Sequence, residues 1–146
     1  MNSKTALTRR RAVVIVAVVA AVLFALIFMR WQNSEKDKLM TTEGRKMFLS
    51  ELGWEIDPES ESYKSVLLPE TLEGIMEEYN RLQLEQGFDL SQHCGEECDQ
   101  FCYTVTNYPN CESSVYATLY LQNGKLIAAD IHSTAIDGFM HGIFSK

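Results

Sequence analysis

The stretch Phe101 to Ser133, FCYTVTNYPNCESSVYATLYLQNGKLIAADIHS, has a hydrophobic period of two. Phe101, Tyr103 and Val105 alternate with Cys102, Thr104 and Thr106, and Val115, Ala117, Leu119 and Leu121 form a second alternating set. Successive side chains of a strand point to opposite faces, so each set marks one face of a sheet. Asn107-Tyr108-Pro109-Asn110 breaks the first run as a turn. Asn123-Gly124 is the strongest short-range hairpin signal in the chain, because both central residues of a type I′ turn need positive φ. A third strand, Leu126 to His132, follows, and the stretch reads as a three-stranded antiparallel meander.

Upstream the period lengthens. Thr41 or Thr42 can cap a short helix in which Met47, Phe48 and Leu52 recur at helical spacing, with Gly53 ending it before Trp54. Tyr63 to Leu68 reads as a strand. Pro69 then suits the first position of a second helix, where its missing N–H would be unpaired anyway. Leu72, Ile75, Met76, Tyr79 and Leu82 line one face of that helix, Glu70, Glu73, Glu77 and Glu78 occupy its early and outer positions, and Gly87 stops it. Downstream, Ile136, Phe139, Met140, Ile143 and Phe144, interspersed with Gly138 and Gly142, form a tail expected to pack back on the sheet. The order is helix, strand, helix, then the three-stranded meander. The expected class is α+β, with two helices packed on an antiparallel sheet.

Ahead of this domain lies an uncharged run of 18 residues, Ala12 to Met29, directly after Arg9, Arg10 and Arg11. About 20 apolar residues cross the hydrocarbon of a bilayer, and no small-x-small cleavage pattern stands at the exit Ile27-Phe28-Met29-Arg30-Trp31. The reading is an uncleaved transmembrane signal anchor over residues 12–31, after a cytoplasmic basic flank at 1–11. A polar linker at 32–41 then leads to an extracytoplasmic domain at 42–146, since positive charge stays inside. Beyond Arg30 eight basic residues face all twenty acidic ones, a formal charge of −12. Such a surface repels nucleic acid and fits attraction to cations or basic partners.

Several separated strings carry a family resemblance. They are Glu78-Tyr79-Asn80-Arg81-Leu82-Gln83, Gly87-Phe88-Asp89-Leu90, Thr106-Asn107-Tyr108-Pro109, Asp130-Ile131-His132-Ser133 and Asp137-Gly138-Phe139-Met140-His141-Gly142. Together, over roughly Arg45 to Ile143, the chain resembles a family of small domains of unknown function, mostly membrane-tethered or secreted proteins of Gram-positive bacteria. The resemblance implies a fold and a compartment and carries over no catalytic residue. The cysteines depart from that family's pattern.

Cys94, Cys98, Cys102 and Cys111 are an even set in a domain placed outside the cell, and two structural disulfides are expected. On one strand Cys98 and Cys102 would stand about 13 Å apart at roughly 3.3 Å per residue, too far to bond each other. Cys94 to Cys98 with Cys102 to Cys111 is the most local connectivity, and the other pairings stay open. The sharper alternative is a thiol- or metal-dependent protein using His93, Cys94, Cys98 and Cys102, although their spacing differs from that of common zinc modules. Asp130, His132, Asp137 and His141 form a second polar set able to bind a ligand or move a proton. Neither Ser113 nor Ser133 has a nucleophile-elbow context. Tyr103, Tyr116 and Tyr120 could stack on a ligand or simply cover the sheet. No cofactor motif and no converging catalytic set is read. The expectation is a single-pass, membrane-anchored, non-catalytic module that binds a protein or small ligand at the cell surface, as an accessory or regulatory part of an envelope system.

Overall fold

The computed structural model describes residues 18–23, 38–110 and 113–145. Residues 18–23 are helical and exposed. No helix among the described residues is long and apolar enough to cross a membrane. The remainder of the expected anchor at 12–31, the basic flank at 1–11 and residues 32–37 of the linker lie outside them.

From residue 36 the chain forms one unit. Its elements are α1 (Thr42–Glu51), β1 (Ser62–Leu67), α2 (Ile75–Glu85), a 3-10 turn (Leu90–His93), β2 (Glu97–Val105), β3 (Val115–Gln122), β4 (Lys125–Ser133) and β5 (Met140–Gly142). The five strands make one sheet in the order β1-β2-β3-β4-β5, and every neighbouring pair is antiparallel. The α+β class holds, with a larger sheet than expected. The tail packs back as a strand, β5, whose three residues are too few to display a period.

Local chemistry explains most element boundaries. Thr41 is the N-cap of α1, its hydroxyl accepting from the Gly44 N–H at 3.1 Å. Asn123 and Gly124 have φ of 51° and 74°, as a type I′ hairpin requires. The second helix starts later than expected. Pro69 does not open it; residues 69–74 run irregularly and α2 begins after Gly74, whose φ of 57° turns the chain into the helix.

Alternation divides the sheet into two faces. One carries Tyr103, Val105, Val115, Ala117, Leu119, Ala129 and Ile131, packed with Leu49 of α1, Trp54 and Ile143. Arg45 enters this face almost wholly buried, at 3% exposure. Its guanidinium lies 3.6 Å over the Phe101 ring, pairs with Glu61 at 3.0 Å and donates to the Tyr103 hydroxyl at 2.8 Å. The Tyr103 hydroxyl donates in turn to Glu61. Partial burial opposes the Glu61 charge, but the bonds from Tyr103, Arg45 and Thr42 outweigh it and hold the carboxyl below its ordinary range. A buried cation is tolerated here because each of its three nitrogens donates to a partner and one of its faces lies on an aromatic ring.

The opposite face holds Cys98, Ile127 and Ala128 against Leu68 and Leu90. Ile127 and Ala128 both belong to it because the β3–β4 register shifts between Tyr120 and Leu121, making Ile127 the extra residue of a bulge. Along β4, β5 pairs only with Asp130, Ile131 and His132. Beside it two side chains of the α2 segment act as a strand. The Ala129 N–H donates to Gln83 Oε1 at 3.0 Å, Gln86 Nε2 donates to the Ala129 carbonyl at 2.9 Å, and Gln86 Oε1 accepts from the Ile143 N–H at 2.6 Å. Gln86 Nε2 also donates to Gln83 Oε1 at 3.1 Å, which locks the two amides together. Gly142 lies opposite them, and a Cβ there would come within 2.6 Å of the Gln86 side chain, which would have to shift from these bonds.

Gln86→Leu keeps the volume and leaves the Ala129 carbonyl and the Ile143 N–H without this partner. At about 1–3 kcal/mol per orphaned group, a loss of roughly 2–6 kcal/mol is expected in urea unfolding of the full chain. An unchanged midpoint would show that the amide does not hold this edge.

Candidate functional site

Where α2 leaves the sheet uncovered, a cleft of about 700 Å³ opens. Val66 to Pro69 from the end of β1, Ile75, Met76, Glu78, Tyr79 and Leu82 of α2, Leu90 and Met140 form its walls. Gln100, Thr118, Tyr120, Asp130 and His132 form its floor on the sheet. Register explains the floor. Cys102, Thr118, Asp130 and Gly142 stand in one row across four strands, Gln100, Tyr120 and Ala128 in the next row, and Tyr116, His132 and Met140 in the row on the other side. All share the face opposite Tyr103 and Ile131.

Asp130 is the centre of this floor and is 2% exposed. The Tyr79 hydroxyl donates to its Oδ2 at 2.7 Å, and His132 Nδ1 lies 2.7 Å from its Oδ1. An ionised carboxylate only accepts, so His132 Nδ1 is the donor of this bond. Tyr116 stacks on the His132 ring at 5.7 Å. The Tyr79 and Tyr120 rings meet edge to face at 6.1 Å, and Gln100 donates to the Tyr120 hydroxyl at 2.6 Å. Burial and the Asp130 charge push the Tyr79 hydroxyl well above its ordinary range, and the same two causes push Tyr120 up to about 12. Both phenols therefore remain protonated donors at neutral pH.

The second polar set of the sequence is split. Asp130 and His132 meet in the cleft, whereas His141 pairs with Ile131 across β4 and β5 and so faces the other side of the sheet. There it stacks on Phe139 at 5.6 Å, lies beside Trp54 and Tyr108, and shares a 3.1 Å hydrogen bond with the Tyr108 hydroxyl. Asp137 is exposed in the segment before β5. Tyr103 is likewise on the far face, fully buried, and cannot stack on anything in the cleft. The Ser113 and Ser133 hydroxyls meet each other at 2.7 Å and line no part of it.

Cys94, Cys98 and Cys102 are unbridged, so neither of the two expected disulfides is seen among the described residues; Cys111 lies outside them. Cys98 is packed among Leu68, Leu90, Ile127 and Ala128, while the Cys94 thiol is turned toward the Leu90 carbonyl at 3.8 Å. Cys98 and Cys102 share β2, the arrangement in which they stand too far apart to bond each other. Burial pushes both thiols up, away from nucleophilic thiolate. Among the described residues no group of three or more His, Cys, Asp or Glu side chains could hold a metal ion. His93 is engaged by Gln122 at 2.7 Å and lies 3.7 Å from Glu96.

Sequence reasoning did not single out Tyr79 or Gln100. The available signal was a tyrosine inside an apolar helical stripe, because a buried hydroxyl needs a polar partner, and Asp130 interrupts an otherwise apolar strand.

Residues 48–131, more than half of the chain, match the family described as a domain of unknown function (DUF4830). The match takes in the cleft apart from His132 and Met140. No curated protein and no solved structure matches the chain.

Two measurements check the chemistry of this region. Alkylation under denaturing conditions without reductant is expected to label Cys94, Cys98 and Cys102, with Cys98 labelled last in the native protein; refusal of label after denaturation would reveal a bridge. The folded Tyr79 and Tyr120 hydroxyls titrate above the ordinary value of 10.0, so the unfolded chain releases these protons first. Their contribution to stability is complete below pH 10 and lost as pH rises toward about 12. Tyr120→Phe is expected to make the alkaline fall in melting temperature shallower, and an unaltered slope would contradict this assignment.

Proposed function

The chain belongs to this family of domains of unknown function, and we propose that its domain is a non-catalytic binding module that takes a small, largely apolar ligand into the cleft. The cleft itself carries this reading. Its volume of about 700 Å³ falls inside the range of small-ligand sites, roughly 300–1,000 Å³. Apolar walls with a few convergent polar groups are the usual composition of such sites. Leu67, Ile75 and Met140 line it while 67%, 84% and 50% exposed, an apolar surface that the core does not use. The described lining has no serine, cysteine or lysine, and its one aliphatic hydroxyl, Thr118, is buried and engaged by the Cys102 thiol. The polar groups therefore serve orientation.

The setting in this proposal is the outer face of a membrane. The uncharged run Ala12 to Met29 after three consecutive arginines supports an anchor at 12–31, and the acid-rich remainder supports an extracytoplasmic domain. An accessory or regulatory part in an envelope system fits a tethered ligand sensor.

Ligand-detected NMR of a fragment collection against the full chain in lipid nanodiscs is expected to find binders that Met76→Trp, a plug in the cleft wall, displaces. A folded protein for which no binder responds to the plug would overturn the reading. Protease added to intact cells is expected to remove the domain; protection until the cells are permeabilised would place it inside.

A further inference from the structure

We infer that the cleft selects a cationic amphiphile, an organic ammonium group carrying an apolar chain, with the ammonium seated against Asp130. This deepens the ligand-binding reading and rests on it. The described lining contains two carboxylates, Asp130 and Glu78, and neither lysine nor arginine. Lys64 faces Gln100 across β1 and β2 but is exposed and lines no part of the cleft. An anionic head group would therefore meet a buried carboxylate with no fixed cation to offset it, which costs far more inside a cleft than in water.

Asp130 also has capacity left. A carboxylate offers about four lone-pair sites, and the structure occupies two of them, with the Tyr79 hydroxyl and His132 Nδ1. The Tyr79 hydroxyl is uncharged, and the imidazole cancels the carboxylate only when Nε2 carries a proton as well, so with a neutral ring the negative charge is hydrogen-bonded without being cancelled. A ligand ammonium supplies the opposite charge and further N–H donors. Tyr79 and Tyr120, crossed edge to face beside it, add ring surface of the kind that attracts a cation. The chain of the amphiphile would lie along Leu67, Ile75, Met76 and Leu82. Beyond the site, the formal charge of −12 after Arg30 raises the local concentration of cations and repels anions.

The test compares n-hexylammonium, hexanol and hexanoate, three heads on one short chain, by calorimetric titration of the full chain in nanodiscs near pH 8. Hexylammonium is expected to bind at least about tenfold more tightly than hexanoate, the scale set by close buried charge pairs. Asp130→Asn is expected to bring the two within about twofold while the protein still melts cooperatively. If that variant does not fold, Glu78→Gln, at an exposed position, is expected to narrow the ratio by a smaller factor. Equal binding of all three heads would overturn the inference and leave the binding reading standing. Binding of plug-sensitive fragments without binding of hexylammonium would overturn it in the same way. Failure of both the fragments and the hexyl series would remove the binding reading itself.

Discussion

A strand whose edge is buried must find partners for backbone N–H and C=O groups that no neighbouring strand supplies, and β4 meets this demand at Ala129. β5 stops at the pair Asp130–Gly142. Beyond it, the Gln83 and Gln86 amides present a carbonyl and an NH2 at the spacing of a peptide group and complete the ladder. Leaving these groups unpaired would cost roughly 1–3 kcal/mol each. This need fixes α2 against the sheet edge, and one further bond, from the Ile143 N–H to Gln86, fixes the C-terminal segment in the same place. The position of α2 is thus set by backbone satisfaction as much as by apolar packing.

Once α2 is pinned at that edge, the two faces of the sheet have different fates. The Tyr103 face receives α1, Trp54 and Phe88 and closes into a continuous core in which even Arg45 is fully engaged. The Asp130 face receives Tyr79 from the early part of α2 and the Leu68–Leu90 cluster at one end. The bulge at Ile127 fills that end by directing two consecutive apolar side chains to the same face. The space between the cluster and Met140 stays open. The cleft follows from a helix held at an edge instead of across a face.

How much of this was legible in the sequence depends on the range of the interaction. The meander, the Asn123-Gly124 hairpin, the Thr41 cap and the Gly53 stop are read correctly because each is settled within a few residues. Pro69 misled the start of α2 because its fitness for a first helical turn is equally compatible with an irregular approach, and Gly74 decides the matter through positive φ. Gln83, Gln86 and Arg45 look like ordinary surface residues of amphipathic helices. Their roles depend on partners 43 to 58 positions away, which no local pattern encodes. Asp130 and His132 could be paired from their i, i+2 spacing on one strand. His141 could not be placed, because its face depends on the register of a three-residue strand.

Asp130 is the residue that local rules would not have chosen. The flanking alternation of β4 calls for an apolar or small side chain there, and a buried carboxylate brings a desolvation penalty that its hydrogen bonds only partly offset. The fold gives that penalty particular company: a tyrosine from α2 and a histidine from the same strand, both donating, on a face left open to solvent by the position of the helix. A carboxylate needed only for folding would be expected to meet a fixed cation, as Glu61 meets Arg45 on the opposite face. The contrast between the two acids is informative. Glu61 is paired with an arginine within the chain and closes a core, whereas Asp130 is held by a tyrosine and a histidine, with no lysine or arginine beside it among the described residues, at the base of an apolar cleft. Its unused acceptor sites belong to the lining of that cleft.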